Sequence, residues 1–118
     1  MVKILLADDA AFMRMRMARL LKGEGHDVVE AENGREAVEQ YQAESPDAVF
    51  LDVTMPEMDG IEALRGIRAL DPEAKISMLT AMTQKQIVME ALKLGVKDFV
   101  VKPFEKDRVL AALKKMTG

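Results

Sequence analysis

The chain has 118 residues, 49% of them apolar and 31% charged, with a formal net charge of −3. That composition describes one globular domain, large enough to bury roughly two-thirds of its unfolded surface, and argues against disorder. Acids and bases interleave without a basic stripe, so no nucleic-acid partner is expected, and the absence of cysteine excludes disulfides, thiolate zinc sites and cysteine nucleophiles.

The first apolar run, Ile4 to Ala7, is cut off by Asp8 and Asp9. It is too short for a signal segment or a membrane span, so no membrane partner and a cytoplasmic location are expected. It reads instead as a buried strand. Met13, Met17, Leu20 and Leu21 then recur at helical spacing, with Arg14, Arg19 and Lys22 off that stripe, and Gly23 and Gly25 end the helix. The single histidine, His26, stands at a loop-to-strand junction without the companions a metal site needs, and is expected to be a surface or packing residue. Val28, Val29 and Ala31 form a more alternating strand, and Ala37, Val38 and Tyr41 a helix broken at Ser45-Pro46.

The same unit repeats. Ala48 to Leu51 is a strand, and Ile61, Leu64 and Ile67 mark a helix that stops at Asp71-Pro72. Ile76 to Leu79 is a strand, followed by a helix carrying Val88, Ala91 and Leu92 that ends at Gly95. Phe99 to Val101 is the last strand, and Val109, Leu113 and Met116 the last helical stripe. Strands alternating with helices imply a parallel sheet covered on both faces, an α/β sandwich of (βα)5 form. Asp27 and Glu30 interrupt the second strand and make it an edge. The order 2-1-3-4-5 of flavodoxin-like sheets agrees with that edge and is adopted from that fold class. The reading assigns residues 1–118 to one domain and expects no output domain after the fifth helix.

In such a sheet Asp8 and Asp9, just past the first strand, and Asp52, just past the third, share one carboxyl edge in neighbouring strands. Two bare charges about 4 Å apart repel by roughly 4 kcal/mol at an effective dielectric near 20, so three carboxylates there need a compensating cation. Hard oxygen ligands suit Mg2+, with Mn2+ as an alternative. A strand-end aspartate is also a common helix N-cap, which would explain either Asp8 or Asp9 alone but not the pair together with Asp52. Thr80 ends the fourth strand and Lys102 the fifth. Lys102 offers a positive charge that can pair with Asp52 at rest and with a phosphoryl oxygen later, and Thr80 a neutral hydroxyl donor. Singly, a surface lysine and a strand threonine are commonplace; it is their convergence on the acids' rim that marks a site.

The stretches Ala7-Asp8-Asp9, Leu51-Asp52-Val53-Thr54-Met55-Pro56-Glu57-Met58-Asp59-Gly60, Thr80-Ala81 and Val101-Lys102-Pro103-Phe104 resemble the receiver domains of two-component response regulators. The similarity covers the whole chain and is nearest to the CheY-like single-domain chemotaxis regulators, above all at Asp9 to Arg14 and Asn33 to Ala37. The resemblance implies that Asp52 is the phosphoacceptor and that Asp9, Asp52 and the main-chain carbonyl of Thr54 ligate Mg2+, with Asp8 acting mostly through water. It implies that Lys102, Thr80 and the main-chain N–H groups of Val53, Thr54 and Ala81 hold the phosphoryl group. Phe99 takes the position of the family's switch aromatic, often a tyrosine, and so lacks that hydroxyl; as a plain core residue it would need no such role. Thr54 and Met82 fall where the family tunes dephosphorylation. The Lys102-Pro103 bond is expected to be cis.

The implied function is a stand-alone response regulator that takes a phosphoryl group from a sensor histidine kinase or phosphotransfer domain onto Asp52. It catalyses only its own phosphorylation and dephosphorylation. Its target would be a protein such as the flagellar motor switch, met by a monomer through a face built on Phe99, Lys97, Lys106 and the fourth helix. A phosphorelay intermediate or adaptor outside chemotaxis is the alternative. A flavodoxin-like FMN carrier would need a glycine- and hydroxyl-rich phosphate loop where Asp8-Asp9-Ala10-Ala11 stands. An aspartate-dependent phosphohydrolase would need a second aspartate at position 10 or 54, which are Ala and Thr. A non-phosphorylated interaction module would usually lack one of the five site residues, and none is lacking.

Overall fold

A computed structural model describes residues 2–55, 58–81 and 85–118. Five strands, β1 (Lys3–Ala7), β2 (Asp27–Ala31), β3 (Ala48–Asp52), β4 (Ile76–Thr80) and β5 (Asp98–Val101), alternate with five helices, α1 (Ala11–Gly23), α2 (Gly34–Glu44), α3 (Gly60–Leu70), α4 (Lys85–Lys93) and α5 (Lys106–Thr117). The strands form one parallel sheet in the order β2-β1-β3-β4-β5, as expected.

The alternation of side chains along each strand divides the core in two. Leu5, Ala7, Val49, Leu51, Ile76 and Met78 face the layer of α2, α3 and α4, while Ile4, Leu6, Phe50, Leu79 and Val100 face that of α1 and α5. β1, β3 and β4 are covered on both sides and are nearly unbroken apolar runs, as interior parallel strands must be. β2 pairs with β1 alone, and its Asp27 and Glu30 are exposed, which is what the charges within its sequence anticipated.

Local chemistry sets the helix starts. Asn33 accepts a hydrogen bond from Glu36 N–H (2.8 Å) and Asp59 one from Glu62 N–H (2.9 Å), so α2 and α3 open on side-chain caps. α1 follows Ala10, which has no side chain to cap with. The helix break at Ser45-Pro46 is a left-handed turn at Ser45 (φ 46°), after which proline cannot continue the helix. His26 is a packing residue: its Nδ1 accepts a hydrogen bond from Val2 N–H (3.2 Å).

Two side chains take directions that the sequence reading left undetermined. Leu92 is 55% exposed, because α4 buries Ala91, one residue and about 100° of helix away, and packs Ile87 partly against the core instead. Arg14, off the apolar stripe of α1, folds back against the end of β1 with its side chain only 13% exposed.

Gly60 opens α3 directly beneath the end of β3, and a Cβ there would overlap the main-chain carbonyl oxygen of Asp52. Gly23, in the last turn of α1, has open space around it and an ordinary φ. Gly60→Ala is therefore expected to destabilise the fold by about 1–3 kcal/mol through overpacking. Gly23→Ala should leave stability unchanged or raise it by up to about 1 kcal/mol through helix propensity. Urea unfolding of the two variants checks this; equal midpoints would contradict it.

Candidate functional site

Parallel strands deliver their carboxyl ends to one edge, and every strand except the outer β2 ends there in a polar residue. Asp8 follows β1, Asp52 and Thr80 are the last residues of β3 and β4, and Lys102 follows β5. β1 lies between β2 and β3, so the chain leaves the sheet on opposite sides after β1 and β3, and the crevice between those strand ends is where such folds take ligands.

The crevice is closed by one cation. Lys102 Nζ lies 3.1 Å from Asp52 Oδ2 and 3.2 Å from Asp8 Oδ2. Both acids are almost wholly buried, at 3% and 1% exposure, and Thr80 is buried beside them. Asp8 is otherwise fully engaged, its N–H donating to Ala31 O (3.1 Å) and its Oδ1 accepting from Ala10 N–H (2.9 Å). Asp9, by contrast, is exposed. Main-chain bonds fix the strand ends: Lys102 N–H donates to Thr80 O (2.7 Å), Val53 N–H to Leu79 O (2.9 Å) and Gly60 N–H to Val53 O (2.8 Å). Thr54 is exposed on the loop beyond Asp52, and its N–H makes a long contact of 3.4 Å to Asp52 Oδ1.

Burial and the neighbouring Asp8 charge push the Asp52 carboxyl up to about 6, even though Lys102 pulls the other way. Burial opposes the charge on Lys102, but Asp52 and Asp8 together outweigh it and raise its ammonium above the usual value. One lysine thus only partly neutralises the acids. Asp8, Asp9 and Asp52 each offer a carboxylate oxygen, all within 4.8 Å of one another, and form a cation-sized cluster among the described residues. All three are hard oxygen donors, and one is open to solvent, which fits a small divalent cation that keeps part of its water shell.

The expected site residues Asp8, Asp9, Asp52, Thr80 and Lys102 thus meet at one edge, with Thr54 at its rim. The Lys102-Pro103 bond is cis. Phe99 stands on β5, half-buried against the α2–α3–α4 layer, three residues before Lys102, so it is neither a full core residue nor a free one. Met82 lies outside the described residues. The sequence reading overlooked the second partner of Lys102, Asp8, and the part played by Arg14. Arg14 Nη1 donates to the Asp8 carbonyl oxygen (2.6 Å) and its Nε to Glu30 Oε1 (3.0 Å). A basic residue one helical turn beyond an acidic strand end was the available signal.

The elevated Asp52 value has a definite sign. Because the folded value lies above that of an unfolded aspartate, the metal-free fold holds this proton more tightly, and ionising Asp52 costs stability as pH rises through about 6. Asp52→Asn is expected to raise the thermal midpoint of the metal-free chain at pH 8 and to have little effect near pH 4. Carbon-13 titration should show Asp8→Asn lowering the Asp52 midpoint and Lys102→Met raising it. Shifts in the opposite directions would refute this electrostatic account.

Residues 4–114 match the family model described as response regulator receiver domain. The chain is 54% identical over 114 residues to the chemotaxis protein CheY of Bacillus subtilis, covering 96% of this chain and 95% of that one. Among solved structures it is similar to Vibrio cholerae CheY4 (TM-score 0.93, 31% identity, 98% of each chain). It is also similar to the CheX–CheY complex with BeF3 and Mg2+ from Borrelia burgdorferi (TM-score 0.89, 35% identity, 94% of this chain and 85% of that one). A rim of two buried aspartates bridged by a lysine, carried on this strand order and matched along nearly its whole length, makes the chain a member of the response regulator receiver-domain family.

Proposed function

We propose that the chain is a phosphorylation-operated switch in which Asp52 accepts a phosphoryl group with Mg2+ bound beside it, and that it serves chemotaxis as a regulator acting in the cytoplasm. The observation that carries the reading is the bridging of buried Asp52 and Asp8 by Lys102, with exposed Asp9 alongside. The chemotaxis assignment is supported by relatives such as the Bacillus subtilis CheY.

Asp9, Asp52 and the Thr54 carbonyl would hold the cation, with Asp8 acting mostly through water and Mn2+ able to replace Mg2+. The cation supplies neutralisation of the charge gathered at the transferring phosphoryl group. A carboxylate oxygen of Asp52 attacks phosphorus in line, the new O–P bond forms as the donor's P–N bond breaks, and the leaving imidazole takes up a proton. The donor is a phosphohistidine on a sensor kinase or phosphotransfer domain. Lys102 exchanges part of its contact with Asp52 for a phosphoryl oxygen, and the Thr80 hydroxyl donates to another. The protein contributes position and charge; its covalent chemistry is confined to Asp52.

Drawing Thr80 toward the phosphoryl group biases a two-state balance that Phe99, on the adjacent strand, reports to the surface. Exposed Met89 and Leu92 of α4 and Val101 of β5 supply the apolar contacts for a protein target such as the flagellar motor switch, approached by a monomer. Lys106, expected on this face, is exposed and pairs with Glu24 beyond α1 (3.2 Å).

Phosphorylation by a small phosphoramidate tests the reading. The native chain is expected to take up phosphate in Mg2+, and Asp52→Asn to take up none; full labelling of the variant would refute the acceptor. Mg2+ alone should raise the thermal midpoint of the native chain, by about 2.7 kcal/mol of stabilisation at a hundredfold excess over its dissociation constant. Asp9→Ala should remove most of that gain.

Signal lifetime follows from the residues flanking the water's approach to phosphorus. Thr54 has a short hydroxyl, and Met82 has bulk without a group to orient water. Met82→Glu and Met82→Asn should therefore lose phosphate faster than the native chain in single-turnover decay at matched Mg2+. Equal rates would remove Met82 from the account.

A further inference from the structure

We infer that Arg14 is the positioning residue of the acidic loop: by fixing the Asp8–Asp9 peptide it sets where Asp9 offers its carboxylate to the cation. The inference rests on the metal reading above and names the residue that makes the site competent.

The loop between β1 and α1 is held at its ends, where Asp8 N–H donates to Ala31 O and Asp8 Oδ1 accepts from Ala10 N–H. The Asp9 side chain between them has no anchor of its own among the described residues. α1 begins after Ala10 without a side-chain cap, and Asp9 is exposed, with no hydrogen bond or ion pair to its carboxylate among the described residues. The direction of Asp9 is therefore inherited from its backbone. The peptide joining Asp8 to Asp9 is planar, so holding its carbonyl oxygen also fixes the N–H of Asp9 at the other end of the plane. Arg14 does this, with Nη1 2.6 Å from the Asp8 carbonyl oxygen. Its own N–H donates to Ala10 O (2.9 Å) as part of the first turn of α1, so the guanidinium is based on the element that the loop leads into.

The guanidinium is itself held. Nε donates to Glu30 Oε1 at 3.0 Å, and Nη2 lies 3.9 Å from Glu32. A planar fork can serve a carbonyl and a carboxylate at once, which a single ammonium does poorly. The acid that interrupts β2 thus has a use: it orients the arginine that orients the metal loop. The chain of contacts runs from the outer strand, through Arg14, to the exposed ligand.

Charge and position predict opposite signs here. A cation near the site repels Mg2+, so by Coulomb's law alone its removal would tighten metal binding. If Arg14 acts by positioning, its removal weakens binding, and supporting groups around metal ligands are typically worth 10–100-fold in affinity.

The test is calorimetric titration of the purified full-length chain with Mg2+, paired with amide exchange and thermal unfolding of the metal-free protein. Arg14→Met keeps bulk and removes the donors; it is expected to weaken Mg2+ about 10-fold and to speed amide exchange at Asp9 and Ala10. Arg14→Lys keeps charge without the fork and should fall between native and Arg14→Met. Glu30→Gln leaves Arg14 in place but loosened, and should show a smaller loss in the same direction even if Arg14→Met folds poorly. Unchanged or tighter Mg2+ binding in these variants, or a loss of thermal stability with Mg2+ affinity and local exchange intact, overturns the proposal. A native chain that shows no Mg2+ response marks instead a failure of the metal reading, and the positioning role falls with it.

Discussion

One ammonium shared between two buried carboxylates governs this molecule. Lys102 reaches Asp52 and Asp8 at once, from the end of a strand two places removed from the nearer of them in the sheet. A buried carboxylate without a partner would neutralise itself by taking up a proton, and Asp52, pushed up to about 6, is already part of the way there. The ion pair is thus a compromise. It holds the acids together tightly enough for a folded chain, yet leaves negative charge uncompensated at the rim. That residual charge is what the divalent cation of the proposed function would neutralise.

Much of the surrounding architecture serves to keep that pairing in register. The sheet order brings the ends of β1 and β3 side by side, and the hydrogen bond from Lys102 N–H to Thr80 O ties the β5 end to the β4 end. Gly60 lets α3 approach the Asp52 carbonyl more closely than any side chain would permit. Asp59, just before it, caps the same helix, so the β3–α3 loop is held at both ends. Arg14 holds the β1–α1 loop from the opposite side. α4, by contrast, presents Met89 and Leu92 to solvent, and exposed apolar side chains on a surface helix are what a partner-binding face requires.

The strands and the rim were legible in the sequence because each short apolar run is stopped by a residue too polar to bury unpaired: Asp8, Asp52, Thr80 and Lys102. Those stops mark the carboxyl edge of a parallel sheet, and the pairing of Lys102 with Asp52 followed from charge. The strand order came from resemblance, with the charges of β2 as its only local support. What could not be read was set by side-chain direction. Asp8 and Asp9 are adjacent and alike, and only the backbone decides that Asp8 turns inward to Lys102 while Asp9 faces water. Arg14 looked like any helix-surface cation until its reach to the Asp8 carbonyl was visible. α4 is apolar on several sides, with Ile87, Val88, Met89, Ala91 and Leu92 in close succession, so periodicity alone does not say that Ala91 is buried and Leu92 exposed.

The most direct test of the account is to locate the phosphoryl group chemically in the native chain. The protein is treated with a phosphoramidate with and without Mg2+, reduced with borohydride, which converts an aspartyl phosphate to homoserine, and mapped by peptide mass spectrometry. The account predicts homoserine at position 52 alone, and only when the divalent cation is present. Homoserine at position 8 or 9, or modification of position 52 that is indifferent to Mg2+, would contradict it.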